Sequence, residues 1–281
     1  MTKFCFIILH YNVIKETENC ISSILSLHDY EQVKIIVVDN CSPNGSGIQL
    51  MKKYEGNEQI TVLLNQRNEG FSRGNNLGCE YAIEKYHPQF LIVTNNDVEF
   101  RQKNTLELIL KEYEKNAYDI LAVDIYNPQK EVHQNPLGKD CPSIGAINKT
   151  IKLNKIFLKY YRFLYPIVLL YFSKKARDSE YKTYQQNVVP MGACLIFSNK
   201  MYEDKKKIFD PETNFYYEEY ILTHWCITNQ KKIVYTPNIQ VFHLEGKATA
   251  TWDEKNRKKI KLKMEHTLHA AKIYRELLKK K

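Results

Sequence analysis

The chain has 281 residues, of which 43% are hydrophobic and 26% charged, and its formal net charge is +9. That length and apolar content suit a globular protein with a large core, and they exclude a disordered tail. Seven scattered cysteines without a C-x-x-C pair argue against a disulfide framework and against a zinc site, and they favour a reducing cytosol. The amino terminus shows no signal-peptide cleavage region, so secretion by that route is not expected.

Short apolar runs alternate with helical spacing in the first hundred residues. Runs rich in β-branched residues predict strands at 4–9, 33–39, 60–64 and 90–94. The apolar residues of 17–27 are spaced like one face of a helix. A Gly- and Asn-rich loop is predicted at 65–78, followed by a helix to about Tyr86. This alternation predicts an α/β fold with a parallel sheet.

The most informative motif stands directly after the run at 90–94, where the sequence reads Asn95-Asn96-Asp97. A buried strand that ends in amides and a carboxylate places oxygen ligands at the carboxyl edge of a sheet, where open α/β folds bind their ligands. Asp39 ends the second run in the same way and can accept a hydrogen bond from a nucleobase or a ribose. Taken alone, each motif is also ordinary turn chemistry.

The Gly- and Asn-rich segment argues against two nucleotide-binding motifs. Its glycines stand at 70, 74 and 78, which does not fit the G-x-G-x-x-G spacing of a dinucleotide fold, and no G-x-x-x-x-G-K-[ST] sequence occurs. The Arg and Asn donors of this segment suit a diphosphate or a sugar ring.

Two further motifs lie near the carboxyl end. Glu218 and Glu219 are paired carboxylates among aromatic residues, a setting that can raise one pKa toward that of a general base. They also suit a solvated first turn of a helix, where Glu is favoured. His243 follows an apolar pair, and a single His in such a place is more often structural than a ligand.

Two segments combine basic and apolar residues. Residues 127–148 are rich in Pro and Gly and predict a loop. The next segment, 149–177, contains a ten-residue apolar run, which is too short to cross a bilayer. This segment predicts either an interfacial helix on anionic lipid or a buried helical hairpin kinked at Pro166.

Residues 247–281 contain twelve Lys or Arg and four Asp or Glu. They predict a helix whose apolar stripe docks on its own domain, or whose charge attracts lipid or nucleic acid.

In this order, the motifs resemble those of glycosyltransferase family 2, the inverting enzymes of the GT-A fold, and in particular its bacterial surface-polysaccharide branch with rhamnosyltransferase-like proteins. The resemblance covers roughly residues 4–100 and 188–246. Separated motifs carry it: Tyr11-Asn12, Asp39, Asn68 to Gly78, Asn95-x-Asp97, Gly192-Ala193, and Glu218-Glu219 followed by His243. It implies an α/β GT-A fold with a Rossmann-like, mostly parallel central sheet flanked by helices and a C-terminal helical extension.

The resemblance also implies a role for each matching residue. Asp39 is expected to bind the nucleobase or ribose of a UDP- or dTDP-sugar, and Asp97 and His243 are expected to hold Mg²⁺ or Mn²⁺ on its diphosphate. Glu219 is expected to act as the base, with Glu218 in reserve. The other donor-binding residues implied are Tyr11, Asn12, Asn68, Arg73, Asn76, Asn95 and Asn96.

Two positions depart from the family pattern. Asn95 replaces the first carboxylate of the D-x-D element, which lowers the ligand charge for a metal. Glu219 replaces an Asp and lengthens the base by one methylene, and Ile221 stands where a second Asp is usual. These departures motivate an alternative hypothesis, in which the chain is a catalytically silent GT-A-like scaffold that binds a partner.

We therefore predict a metal-dependent inverting hexosyl- or deoxyhexosyltransferase of capsule or exopolysaccharide synthesis. It is expected to be cytoplasmic, peripheral on the inner face of the cell membrane, and to act on a glycan acceptor linked to polyprenyl diphosphate. Binding to an anionic membrane surface is expected and a homo-oligomer is left open. Nucleic-acid binding is not expected, because no recognition motif accompanies the basic tail.

The predicted organisation is a glycosyltransferase domain at 1–246 and a basic amphipathic helical segment at 247–281. Within the domain, 1–126 is the nucleotide-sugar-binding half, 127–187 a variable basic and apolar insertion, and 188–246 the acceptor and catalytic half.

Overall fold

One mixed sheet with helices on both faces organises the chain. The structure is a computed structural model, and it describes residues 3–172, 180–205, 207–213, 215–245 and 254–280. The strands are β1 (Phe4–His10), β2 (Val33–Asp39), β3 (Ile60–Leu64), β4 (Phe90–Asn95), β5 (Val98–Glu99), β6 (Ile120–Asn127), β7 (Val132–His133), β8 (Gln185–Gln186), β9 (Cys194–Ser198) and β10 (Ile233–His243). The α-helices are α1 (Ile14–Leu25), α2 (Ser46–Lys53), α3 (Gly70–Tyr86), α4 (Thr105–Asn116), α5 (Ile144–Lys159), α6 (Tyr161–Phe172), α7 (Asn199–Asp204), α8 (Glu218–Thr228) and α9 (Glu254–Lys279), and a 3-10 turn spans Tyr30–Gln32.

The strands follow the order β3-β2-β1-β4-β9-β6-β10-β5, with β7 beside β6 and β8 beside β10. The pairs among β3, β2, β1 and β4 are parallel, as is the pair β6–β10. By contrast, β9 runs antiparallel to both β4 and β6. The four strands predicted from the apolar runs are confirmed. The runs of β1, β2 and β4 are buried on both faces of the parallel sheet, whereas the edge strand β3 is only partly buried.

Successive side chains of the central strands point alternately into two apolar layers, one on each face of the sheet. Phe4, Phe6 and Ile8 of β1 pack in one layer, which includes α1 residues such as Ile21 and Ile24. The intervening side chains of β1 point to the other layer, which is covered by α3, α7 and α8. The sheet is therefore closed on both faces, and ligands can reach it only at the ends of its strands.

The predicted loop at 65–78 is wrong beyond its first residues, since α3 begins at Gly70. The glycines at 74 and 78 lie one helical turn apart and let α3 approach the sheet closely. A Cβ on Gly74 would lie 2.5 Å from Leu9 Cδ1, and one on Gly78 would lie 2.6 Å from Ile7 Cγ2. The four-residue spacing of these glycines is thus a helix-packing pattern and not a variant of a phosphate-binding loop.

The segment 127–148 is also more ordered than predicted. It contains β7, which pairs with β6, and the start of α5. The break between α5 and α6 falls at Tyr160 and not at Pro166, through which α6 continues. Of the apolar run at 163–172, the side chains of Pro166 and 168–172 lie outside the described part, as do Lys174, Lys175 and Arg177.

The C-terminal helix α9 docks on its own protein. Ala271 and Tyr274 are buried against Ile147 and Ile151 of α5 and Ile221 of α8, while Leu268, Ile273, Leu277 and Leu278 pack around them. Of the predicted apolar stripe, Leu262 stays exposed; residues 247–253 lie outside the described part. Among the described helices, none is both long and apolar enough to span a bilayer.

Candidate active site

The carboxyl ends of three neighbouring strands bring the predicted residues to one edge of the sheet. In the register of β1 with its neighbours, His10 pairs with Asp39 of β2 and Leu9 pairs with Asn95 of β4. The segments that leave these strands therefore begin side by side. They carry Tyr11-Asn12, Asp39 and Asn95-Asn96-Asp97, which are the strand-end motifs of the sequence.

Asp39 is buried and held by the loop that follows it. Its carboxylate accepts hydrogen bonds from the backbone N–H of Ser42 at 3.2 Å and from the Ser42 hydroxyl. The start of α2 stands directly against it, because a Cβ on Gly47 would lie 2.2 Å from the Asp39 carboxyl group. The Ser42 hydrogen bonds and the close approach of α2 therefore fix the orientation of this carboxylate.

His10 connects Asp39 to the Asn95-Asn96-Asp97 turn. Its Nε2 lies 2.8 Å from the Ser46 hydroxyl and 3.9 Å from Asp39, and its Nδ1 lies 2.7 Å from the Thr17 hydroxyl. The Asn96 amide donates to the same Thr17 hydroxyl at 2.9 Å. Burial lowers the pKa of His10, against the opposing charge of Asp39. A neutral imidazole thus joins two segments of the site by hydrogen bonds.

Tyr11 and Asn12 form the rim beside Asp39. Asn12 has a left-handed backbone with a φ of 66°, and its N–H donates to the Ser42 hydroxyl at 2.9 Å. Its side-chain oxygen is buried without a hydrogen-bond partner, and Tyr11 is exposed. A buried acceptor without a partner costs free energy, so a ligand donor at this point would relieve it.

The structure brings Asp97 and His243 together, although they are far apart in sequence. Nε2 of His243 lies 3.3 Å from Oδ1 of Asp97, and Nδ1 of His243 contacts the Gln134 side-chain oxygen at 2.9 Å. The backbone joins the two as well, since the Leu244 N–H donates to the Asp97 carbonyl at 2.9 Å. Gln134 therefore fixes the ring orientation and leaves Nε2 directed at the carboxylate.

One carboxylate and one imidazole form a small set of metal ligands. Within the described ranges, no three His, Cys, Asp or Glu side chains gather into a metal-binding group. Mg²⁺ is commonly held by one or two carboxylates together with substrate phosphates and water. Asp97 fits that pattern and His243 would add a nitrogen ligand. Asn95, two residues before Asp97 at the end of β4, carries an amide oxygen.

Glu219, the second residue of α8, lies close to the Asn95-Asn96-Asp97 turn. Its carboxylate accepts a hydrogen bond from the Gly192 N–H at 3.2 Å, and a Cβ on Gly192 would lie 2.9 Å from it. The next residue, Ala193, accepts a hydrogen bond from the Asn95 N–H at 2.9 Å. The antiparallel pairing of β4 and β9 thus places this carboxylate within a few residues of the candidate metal turn.

The two glutamates differ in their surroundings. Burial, and then the charge of Glu219, raise the pKa of Glu218 to about 8, and one of its oxygens has no hydrogen-bond partner. Burial also raises the pKa of Glu219, while the Gly192 N–H opposes that shift. Glu219 retains accessible surface and Glu218 is buried. The geometry therefore favours Glu219 for contact with a substrate. The pair does stand in the first turn of α8, as the helix-start alternative expected, but Glu218 is buried, so this turn is not solvated as that alternative required.

Packing holds the glutamates in place. Tyr216 and Tyr217, with φ values of 71° and 66°, make two consecutive left-handed residues before α8. Such strained backbone persists only where its surroundings fix it. Tyr217 and Tyr220 lie 5.8 Å and 6.2 Å, ring centre to ring centre, from Tyr274 of α9.

Three of the predicted donor-binding residues are used for internal contacts. Both polar atoms of the buried Asn76 amide bond to the Phe209 backbone, at 2.8 and 3.0 Å. The Asn68 oxygen accepts from the Asn40 amide and from the Gly70 N–H, both at 3.0 Å. Arg73 donates to the Pro211 carbonyl at 2.9 Å and lies at a cleft of about 370 Å³ with Asn65 and Lys207. Asn68 and Asn76 therefore hold the segments around Asn40 and Phe209 in place, and donor binding by these two residues stays a prediction.

Sequence reasoning missed several residues that organise the site. Asn40 bridges the loops after β2 and β3, accepting from Asn65 and from the Glu69 N–H. His10 and Thr17 were not singled out, because an apolar strand and an amphipathic helix hide one polar residue each. Gln134 lies in a segment that read as a loop. The only available signal was the position of Asn40 directly after a strand-ending Asp.

A family model described as "Glycosyl transferase family 2" matches residues 5–177. Among curated proteins, the chain is similar to the "Low-salt glycan biosynthesis hexosyltransferase Agl10" of Haloferax volcanii, with 26% identity over 121 residues. That alignment covers 43% of this chain and 36% of the relative's length.

Solved structures share the fold. The chain is similar to residues 1–349 of S. aureus TarS in complex with UDP-GlcNAc, with a TM-score of 0.58 and 14% identity over 92% of this chain and 64% of that one. It is also similar to GalNAc-T7 with UDP, GalNAc and Mn²⁺, with a TM-score of 0.60 and 14% identity over 92% of this chain and 47% of that one. The predicted GT-A fold is thereby confirmed.

Proposed function

Since the chain belongs to glycosyl transferase family 2, we propose that it is an inverting, metal-dependent transferase that moves a hexosyl or deoxyhexosyl group from a UDP- or dTDP-sugar to a glycan hydroxyl. The observation that carries this proposal is that Asp97, His243 and Glu219 lie at one edge of the sheet. Asp39, whose carboxylate is fixed by Ser42, lies at the same edge. The chain supplies, at one place, groups suited to a nucleoside, a diphosphate and an acceptor proton.

The donor end of the site is suited to a nucleoside. Asp39 presents a fixed carboxylate that can accept from a base N–H or a ribose hydroxyl, and the Asn12 oxygen beside it lacks a partner. Tyr11 is exposed at the same rim and offers a face for stacking. The S. aureus and GalNAc-T7 structures contain UDP or UDP-GlcNAc, which supports a nucleotide-sugar here.

Asp97 and His243 are the residues that would hold Mg²⁺ or Mn²⁺. A bound divalent ion would neutralise charge on the departing diphosphate. The chain's own contribution is geometric: Gln134 orients the imidazole, and the Leu244 N–H fixes the backbone of Asp97. The amide of Asn95 in place of a carboxylate lowers the charge of the ligand set, so Mn²⁺ or Mg²⁺ is expected to bind weakly before the donor arrives.

Glu219 is the proposed general base. Its raised pKa brings it closer to neutrality than an exposed Glu, which is the range where a base is effective. It would take the proton from an acceptor hydroxyl as that oxygen bonds to the anomeric carbon and the bond to the diphosphate breaks. One displacement of this kind inverts the configuration at that carbon.

The acceptor is proposed to be a lipid-linked glycan, carried on polyprenyl diphosphate at the inner face of the cell membrane, in capsule or exopolysaccharide synthesis. Support comes from the basic and apolar helical region at 144–167, which lies in the chain between the donor half and the base. The named role of the Haloferax volcanii relative in glycan biosynthesis is of the same kind.

A panel of nucleotide-sugars, scored for thermal stabilisation with and without Mn²⁺, tests the proposal. A ligand present at ~100 times its dissociation constant adds about 2.7 kcal/mol to stability. We expect one UDP- or dTDP-sugar to stabilise the chain in Mn²⁺ and to be slowly hydrolysed. If no nucleotide-sugar stabilises or is hydrolysed with either metal, the silent-scaffold alternative replaces the transferase.

A further inference from the structure

Helices α5 and α6 carry apolar residues on two opposite faces. The inner face, at Ile147, Ile151, Leu158 and Tyr161, packs against α9, and the Tyr161 hydroxyl donates to the Arg257 carbonyl at 2.7 Å. The opposite face carries five exposed apolar side chains, which we call the outer stripe: Leu153, Ile156, Tyr160, Phe163 and Ile167. A helix that is apolar on both faces needs a cover on each.

The outer stripe keeps a helical spacing across the one-residue break at Tyr160. Its members are three and four residues apart, and each lies two positions from an inward-packing residue, which is about 200° around a helix; these inward-packing residues are Ile151, Leu158, Tyr161 and Tyr165. At the break between the helices, the Tyr160 N–H donates to the Ile156 carbonyl and the Leu164 N–H to the Tyr160 carbonyl, both at 3.0 Å. The Phe163 N–H donates to the same Tyr160 carbonyl at 3.0 Å, so hydrogen-bonded turns lie on both sides of the break. Phe163 is 81% exposed and Ile167 54%, which is unusual for side chains of this size.

Basic residues border the stripe. Lys152, Lys155, Lys159 and Arg162 each stand one position before a stripe residue, and all four are exposed. Between residues 141 and 177 the sequence contains eight Lys or Arg and no Asp or Glu. An apolar stripe flanked by cations on one side and free of acids fits a bilayer that contains anionic lipid, where the apolar side chains enter the interface and the cations meet the headgroups.

We propose that the outer stripe of α5 and α6 is the surface by which this protein lies on an anionic lipid bilayer. A second copy of the chain is the competing occupant, because a spacing of three and four residues also suits helix pairing. Pairing of two such stripes would bring the same lysines together without any acid between them, which opposes it. The assignment rests on the membrane-facing function proposed above. Of the two basic segments, it selects α5 and α6 over the C-terminal helix α9, whose apolar stripe is covered except at Leu262.

The first test is co-sedimentation of the full chain with vesicles of phosphatidylcholine alone or mixed with phosphatidylglycerol, at low and high ionic strength. We expect binding to the mixed vesicles at low ionic strength and release at high ionic strength. Phe163→Ser with Ile167→Ser should weaken binding by roughly tenfold or more, since two apolar side chains no longer leave water. The control Ile227→Ser removes a similarly exposed apolar side chain from α8 and should leave binding unchanged.

A second pair of variants tests the charges. Lys155→Gln with Lys159→Gln should weaken binding by roughly fivefold per residue, because each Lys near an anionic surface contributes about that factor. Lys52→Gln with Lys103→Gln removes two exposed Lys elsewhere and is the matched control. Equal binding by wild type and both stripe variants would overturn the assignment, as would the absence of binding to mixed vesicles.

Two measurements separate this assignment from its competitor and from the proposed activity. The first is sedimentation velocity of the wild type and of the Phe163 and Ile167 variant. A wild-type dimer that the two substitutions abolish, in a protein that does not bind vesicles, would assign the stripe to a second copy. Stabilisation by nucleotide-sugar and Mn²⁺ should be equal in wild type and stripe variants. Vesicle binding that fails while donor stabilisation persists refutes the membrane surface alone, and the reverse result refutes the transferase alone.

Discussion

The two sides of the candidate site are held by different physical means. On the donor side, Asp39 and Asp97 are carboxylates whose neighbours are donors or a His: Ser42 for the first and His243 for the second. On the base side, Glu218 and Glu219 are carboxylates surrounded by aromatic residues and by each other. The donor-side carboxylates are held by polar contacts, whereas the base-side carboxylates are desolvated by burial.

This difference implies different sensitivities. A side chain fixed by hydrogen bonds loses its orientation when one partner is removed, with little effect on the rest of the fold. A carboxylate kept in place by burial instead lowers the stability of the fold whenever it is ionised. We therefore expect substitutions on the donor side to change binding, and substitutions on the base side to change turnover and pH dependence.

The largest effect is expected for Asp97→Ala. The variant should lose metal-dependent donor binding and transfer, by ~10³-fold or more, because a divalent ion at the diphosphate is worth several kcal/mol. Initial rates across a Mn²⁺ titration measure this. Glu99→Ala, which removes the nearby carboxylate that pairs with Arg101 at 2.8 Å, is the control and should keep most activity. Near-normal activity of the Asp97 variant would remove the metal assignment.

Glu219→Gln should lower turnover by roughly 10² to 10⁴ while donor binding is kept, as expected for the loss of a general base. Glu218→Gln should have a much smaller effect, because the Glu218 side chain is buried. The measurement is kcat beside donor Kd for both variants. The reverse ranking would move the base to Glu218, and two small effects would favour a scaffold without catalysis.

The pH dependence of stability should report Glu218. Its pKa of about 8 in the fold lies above the ordinary value of 4.5, so between these values the folded chain binds more protons than the unfolded one. Stability contributed by the protonated group is therefore lost as pH rises through this window. Glu218→Gln should remove that loss, on the order of a few kcal/mol, which raises Tm at pH 8.5 more than at pH 5. Thermal melts across pH test this, with exposed Glu84→Gln as the control.

A smaller effect is expected for Thr17→Val. The variant removes the hydroxyl that joins His10 and Asn96, so the Asn95-Asn96-Asp97 turn should lose orientation. Loss of one buried hydrogen-bond partner costs about 1 to 3 kcal/mol, part of which should appear as a donor KM up to roughly tenfold higher with little change in kcat. Thr105→Val, at the start of α4, removes a buried hydroxyl that donates to the Gln102 carbonyl, and it should lower stability without changing KM. Equal KM values in the two variants would exclude the His10 connection from donor binding.

The donor side could be predicted from sequence to a large extent. The strands on this side are apolar runs, so the change to polar side chains marks where each strand ends. Asp39 and Asp97 stand at these points and could be located from the sequence. The α3 start was missed, because Gly70, Gly74 and Gly78 suggest a loop until the neighbouring strands are known.

The base side could be predicted less well. The sequence pointed to Glu218 and Glu219, but the side chains beside them, Tyr217, Tyr220 and Ile221, pack against Tyr274, more than 50 residues away, and against α5. The partner of His243 was hidden for the same reason, since Gln134 reaches it from a segment rich in Pro and Gly. Long-range packing of this kind leaves no local period in the sequence.

The docking of α9 on α8 has a consequence for the synthesis of the protein. Chains emerge from the ribosome in order, at about 5 to 20 residues per second, and α8 is made before α9. Until α9 arrives, Tyr217, Tyr220 and Ile221 lack the cover that Ala271 and Tyr274 provide. We expect this nascent intermediate to have a complete donor edge and an uncovered aromatic helix, so the interval before α9 docks is when the chain is most exposed to chaperones and to aggregation.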